Sequence, residues 1–149
     1  MISLTLVRRI SARPSAVFDA LTTPESIMGW WGPDDGPVLL AETDVRPGGR
    51  YRVRFRTLDG REHECAGEYI EVEKPWRLAM SWRWLQGGGD PGESRLEFHL
   101  STIAEGTELI LKHTRLHDED SRANHERGWS GALDKLERHL KRGARDDKP

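Results

Sequence analysis

His113 is the residue in this sequence best placed to handle a proton or hold a polar ligand group. It falls in the run TELILKHT, where Leu109, Leu111 and His113 share one face of an alternating strand, so its imidazole is directed inward among apolar neighbours. There a histidine can anchor a ligand hydroxyl or carboxylate, or act as a general base. It can equally be a core residue satisfied by a backbone carbonyl. The other reactive types form no constellation. His113 and His117 sit at a strand end and in a loop, which does not put both on one helical face. His63 or Cys65 would join them only by accident of folding, so no metal site is expected. Ser81 and Ser94 lack a serine–histidine–acid context, and nothing pairs Asp34 and Asp35 as acid and base. The loop GGGDPGE has neither the lysine nor the following helix of a phosphate cradle, and no cofactor is implied.

Aromatic residues are the other unusual stock. Six Trp stand against two Tyr and three Phe. An indole is large and has an N–H that needs a partner when buried, so clustered tryptophans mark either thick core corners or pocket walls. In the stretch GWWG, Trp30 is expected to anchor a short helix to the sheet. Trp31, about 100° further round a helical turn, would face the loop that guards a cavity mouth. Gly128 and Gly131 flank Trp129 inside a helical pattern, where each costs about 1 kcal/mol against alanine. Such a cost implies close approach to that helix, by a strand or by a ligand.

The elements that must position these residues follow from periodicity. Residues 3–10 read as a strand. A short helix follows from Pro14 or Ser15, with Val17, Phe18 and Leu21 on one face, and a second opens with Pro24 at its first position. VLLAET is a strand and RPGG a turn. YRVRFR alternates strictly, with Tyr51, Val53 and Phe55 on one face and Arg52, Arg54 and Arg56 on the other. A three-residue loop with Gly60 left-handed pairs Arg56 with Glu62 and Arg54 with Glu64, separating charge from apolar surface, whereas a two-residue turn would mix them. The arginine face is then a solvated, ion-paired surface rather than an anion site. RLAMSWRW aligns Leu78, Met80, Trp82 and Trp84. GGGDPGE is a long, flexible hairpin connection, and RLEFHL turns Leu96, Phe98 and Leu100 inward.

From Asp118 the pattern becomes helical. Asp118, Glu119 and Asp120 suit the positive end of a helix dipole, Trp129, Ala132, Leu133, Leu136 and Leu140 form one stripe, and Lys141-Arg142-Gly143 is the stop. Roughly 25 residues give a rod of about 37 Å, long enough to cross a sheet. A strand, two short helices, an antiparallel meander of six or seven strands and one long helix bury their faces most simply as an α+β fold. In it a strongly bent sheet wraps the helix and leaves space between them.

Composition narrows the partners. The 149 residues read as one domain over 1–142 with a frayed tail at 143–149. Net charge is −2, from 23 basic and 25 acidic residues mixed along the chain, which argues against a nucleic-acid partner. The single Cys65 rules out an intramolecular disulfide and a cysteine-rich zinc motif. The start MISLTLVRRI is too short and too soon charged for a signal peptide, and no stretch approaches a membrane span, so a cytoplasmic protein without a membrane partner is expected.

The segments ARPSAVFDALTTPESIMGWWGP, DVRPGGRYRVRF, GEYIEVEKPWRLAMSW and NHERGWSGALDKLERHL resemble, in this order, homologues of the activator of the heat-shock chaperone ATPase. These belong to the START-like or SRPBCC superfamily, whose helix-grip fold also builds the birch-pollen allergen and polyketide cyclases. The resemblance runs from about Leu4 to Leu140 and implies a mostly apolar cavity beneath the long helix. On the inward faces, Tyr51, Val53, Phe55, Cys65, Met80, Trp82, Trp84, Phe98 and His113 would line it from the sheet, Trp129 and Leu133 from the helix, and Trp31 at the mouth. The expected function is binding of a small, largely apolar molecule, by a monomer or homodimer. One alternative is a cyclase- or hydratase-like enzyme in which His113 or Tyr69 moves a proton. Another is a module acting on the chaperone ATPase.

Overall fold

Proline sets the first boundaries. Arg13 and Thr23 each precede a proline and are held extended, at ψ of 154° and 136°, because the proline ring excludes the helical region for the residue before it. Two short helices therefore start abruptly at Pro14 and Pro24. The computed structural model describes residues 2–85 and 92–146, so most of the connection expected at GGGDPGE is outside the described residues. The order is β1 (Ile2–Ile10), α1 (Pro14–Thr22), α2 (Pro24–Trp30), β2 (Val38–Thr43), β3 (Arg50–Arg56), β4 (Glu62–Glu73), β5 (Arg77–Trp84), β6 (Ser94–Ile103), β7 (Gly106–Leu116) and α3 (Glu119–Asp146).

The seven strands form one antiparallel sheet in the order β1-β7-β6-β5-β4-β3-β2, a meander from β2 to β7 with β1 added beside β7. The β3–β4 hairpin has the expected register, Arg56 opposite Glu62, Arg54 opposite Glu64 and Phe55 opposite His63. Gly60, at φ 87°, supplies the left-handed residue of its three-residue loop. On the outer face Arg52 and Arg54 donate to the two oxygens of Glu64 at 2.7 and 2.9 Å. Burial pushes the Glu64 carboxyl up, but these hydrogen bonds outweigh it and hold the group below the usual carboxylate range. Register shifts between Ile2 and Leu4, Val38 and Leu40, and Tyr69 and Glu71 add the local twist that coils the sheet. The first faces Arg115, which sits in the left-handed region at φ 62°.

The curve closes on α3. Asp118 caps it, accepting the Ser121 N–H at 2.7 Å. Trp129, Ala132, Leu133 and Leu136 form its buried stripe. The expected stop at Lys141-Arg142-Gly143 does not end the helix, which runs on to Asp146 over 28 residues, or about 42 Å. A lone glycine costs a helix only about 1 kcal/mol, and no proline follows closely enough to end it. Residues 147–149 of the expected tail are outside the described residues. Leu96, Leu109 and Leu111 from the sheet and Leu133 and Leu136 from α3 are fully buried in one core.

Candidate functional site

A cavity of about 740 Å³ opens along the N-terminal half of α3. Its walls are rings: Phe55 at the end of β3, Trp82 and Trp84 on β5, Trp31 after α2, and Trp129 on α3. Pro33 and Ala132 are its aliphatic side chains, and no Leu, Ile, Val or Met among the described residues lines it. Trp31 stacks on Trp82 at 5.8 Å and 20°, and meets Trp129 edge-on at 5.6 Å. Trp82 also contacts Trp129 at 5.2 Å and Trp84 at 5.3 Å. These are the tilted, offset and edge-to-face arrangements that ring quadrupoles favour.

The indole N–H groups show how the rings are held. Trp30 donates to the Ala20 carbonyl at 2.7 Å, Trp129 to His113 Nδ1 at 3.1 Å and Trp84 to His125 Nε2 at 3.0 Å. Trp31 reaches the Cys65 thiol. Trp82 differs. Its Nε1 is sealed from solvent and has no hydrogen-bond partner among the described residues. The other such buried atom, Arg77 Nε, has a Glu71 carboxylate oxygen 2.8 Å away.

The two histidines have matching roles. Because Trp129 occupies the Nδ1 lone pair of His113, its proton belongs on Nε2, which faces Ser94 Oγ at 2.7 Å. His125 accepts from Trp84 at Nε2 and donates from Nδ1 to the Ser121 carbonyl at 2.7 Å. The rings are 4.8 Å apart. Burial, and then the neighbouring His125, push His113 down to about 3, and burial also lowers His125. Both stay neutral near pH 7 and act as acceptors that orient tryptophans.

The loop after α2 closes one side of the cavity and is clamped from α3. Lys135 is 9% exposed and donates to the carbonyls of Trp31 at 2.9 Å and Asp34 at 2.5 Å. Burial lowers its ammonium below the ordinary lysine range, against the raising effect of Asp35 and Asp34. A Cβ on Gly131 would stand 2.2 Å from the Pro33 carbonyl oxygen, so this glycine admits the loop. The close approach anticipated from Gly128 and Gly131 is thus made by neither a strand nor a ligand. Trp30 donates its N–H to α1 and is buried in the core shared with the sheet, and Trp31, 3% exposed, is a buried wall rather than a residue at the mouth.

Of the residues expected around the cavity, Trp31, Phe55, Trp82, Trp84 and Trp129 line it. Tyr51, Val53, Cys65, Met80, Phe98, His113 and Leu133 are buried as their patterns require, but they belong to the core and not to the cavity wall. Alternation fixes the face of a strand, not the distance along it at which sheet and helix part. Tyr51 spends its hydroxyl on the Ser81 carbonyl at 2.6 Å. Tyr69 is 2% exposed, with its phenol pushed up by burial, and does not reach the cavity. His63, His125 and Lys135 were not anticipated there. His125 is four residues before Trp129 on the same helical stripe, a signal available in the sequence, whereas nothing marks Lys135 apart from a surface lysine. Among the described residues no group of three or more His, Cys, Asp or Glu could hold a metal ion, and no helix is long and apolar enough to cross a membrane.

A coiled antiparallel sheet gripping a long C-terminal helix, with a cavity between them, defines a START-like, helix-grip domain. Residues 11–141 match the family described as Activator of Hsp90 ATPase homolog 1-like protein, and the chain belongs to that family. A solved protein from Chromobacterium violaceum is 26% identical, with a TM-score of 0.85 over 93% of this chain and 96% of that one. An AHSA1 protein from Silicibacter pomeroyi is 26% identical, with a TM-score of 0.82 over 94% and 98%. An AHSA1-like protein from Aeromonas hydrophila shares the fold at 21% identity, with a TM-score of 0.81 over 99% and 98%. No curated protein matches the chain.

Proposed function

We propose that this protein binds a small, largely apolar molecule in the cavity between α3 and the sheet. The observation that carries the reading is the cavity itself: about 740 Å³, walled by five large aromatic side chains and rimmed by polar groups. Small-molecule sites commonly measure about 300–1,000 Å³ and combine apolar walls with a few polar groups. Native mass spectrometry of freshly purified protein, followed by thermal-shift screening of aromatic, fatty and polyketide-like compounds, tests it. A bound compound should raise the melting temperature in a concentration-dependent way. A screen without one shift, on protein that carries no co-purified mass, would discard the reading.

A cyclase- or hydratase-like use of the same cavity gains no support from His113, whose two nitrogens are engaged by Trp129 and Ser94, or from Tyr69. The family description favours a second reading, action on a chaperone ATPase. An unchanged ATPase rate of a matched chaperone at saturating protein would dispose of it.

A further inference from the structure

We propose that His125 is an acid-released latch on the cavity wall: while neutral it holds the Trp84 indole in place, and on taking up a proton it lets that indole go. Both nitrogens of its imidazole are committed. Nδ1 donates to the Ser121 carbonyl at 2.7 Å, with the Ser121 hydroxyl 3.3 Å away, and the lone pair of Nε2 accepts the Trp84 N–H at 3.0 Å. A proton can bind only at that lone pair, where it turns Nε2 into a donor facing a donor. The bond to Trp84 is then lost. A latch also needs a part that can move. Trp84 and His125 are both partly exposed and both line the cavity, so the released indole can turn its N–H to water. The companion pair, Trp129 on His113, has no such freedom: the two are 5% and 0% exposed, and parting them would open the core. With the imidazoles 4.8 Å apart, the fold sets a releasable contact beside a permanent one.

The surroundings of His125 let it respond to pH. Against it pack Trp82 and Trp84 from β5, which carry no charge, and His113 from β7, which stays neutral. On its own helix Arg122 is occupied by Glu119 and Glu126. Further round the cavity stand Asp34, His63, His117, Asp118, Asp120 and Arg127. Burial disfavours the imidazolium more than the Ser121 carbonyl favours it, so release falls below the ordinary histidine value of 6.5. Trp84 then leaves a wall in which it meets Trp82 at 5.3 Å and Phe55 at 6.2 Å, and the cavity widens on acidification. The use of such a latch rests on the reading of the cavity as a ligand site. Its test needs no ligand, so that either can fail alone.

The full chain, labelled with ¹⁵N in tryptophan and histidine, is titrated by NMR from about pH 8 to about pH 4.5, with the Trp84 indole assigned from Trp84→Phe. The His125 ring should pass from its Nδ1–H tautomer to the imidazolium at a midpoint below 6.5. The Trp84 resonance should shift at the same midpoint, its N–H exchanging with water about tenfold faster for the loss of one hydrogen bond. Trp30, on the Ala20 carbonyl, and Trp129, on His113, should stay where they are. In His125→Gln an amide oxygen takes over as acceptor without titrating, and the Trp84 resonance should no longer depend on pH. A Trp84 resonance that stays fixed while His125 titrates, or that still shifts in the glutamine variant, would overturn the latch. So would a His125 that takes no proton down to pH 4.5. Trp30 and Trp129 moving in step with Trp84 would mean acid unfolding of the whole domain, and would overturn it too.

Discussion

Protonating His113 would remove the acceptor that holds Trp129 and place a charge beside His125, so the folded protein resists it. Folded His113 stays neutral down to about 3, whereas an ordinary histidine takes its proton near 6.5. Between those values the unfolded chain binds more protons. The stabilisation is therefore complete above pH 6.5 and is lost on acidification, by up to about 1.4 kcal/mol per pH unit for one group. His125, lowered by burial, acts in the same direction. Glu64, held low by its arginines, loses its contribution only below the ordinary value of 4.5, so pH 4.5–6.5 isolates the histidines. Urea denaturation across that interval should show a falling midpoint, and His113→Gln should flatten the fall; an unchanged slope would place its origin elsewhere. The helix glycines make a second contrast. Gly131→Ala should destabilise by about 2 kcal/mol or more, because backbone must move. Gly128→Ala meets only the Pro33 Cβ at 3.8 Å and should stabilise by up to about 1 kcal/mol. The sequence shows that both glycines are out of place in a helix. It does not show which one has a neighbour, because that neighbour is about a hundred residues away in the chain.

Elements were legible where one local rule decided them. The β3–β4 register followed from charge sorting and a left-handed Gly60, and the boundaries of α1 and α2 from two prolines. The segment between α2 and β2 had no such rule. It is held by partners distant in the chain: Lys135 reaches across from α3 to two of its carbonyls, and Asp34 accepts the Leu58 N–H at 3.0 Å. Lys135→Met keeps the aliphatic stem and removes the donors, and should cost about 1–3 kcal/mol, with faster amide exchange confined to residues 31–36. Global destabilisation with no local change in exchange would mean that the clamp belongs to the core rather than to this loop.

At the scale of the molecule, the fold is solid at one end of α3 and hollow at the other. Toward the C-terminal half α2 packs so closely that a Cβ on Gly29 would stand 2.7 Å from His139 Nδ1. On the first strand, Arg8 ties β1 to α3 through Asp134 at 2.6 Å and Glu137 at 3.0 Å. The order of elements foretold a sheet gripping a helix. Which end stays open depends on how far the bulges coil the sheet, and no periodicity encodes that. The hollow end also gathers Trp30, Trp31, Trp82, Trp84 and Trp129 into one chain of contacts, each ring within 5.2–5.8 Å of the next, while Trp76 stands apart and half exposed. Chromophores this close and rigidly tilted share their electronic transitions. The folded protein should therefore show exciton-split bands in its ultraviolet circular dichroism, and light absorbed by any of the five should migrate among them before emission. A molecule seated against one ring would dim them all, leaving Trp76 as a steady reference; a spectrum equal to the sum of six independent indoles would mean that the cluster is looser than drawn.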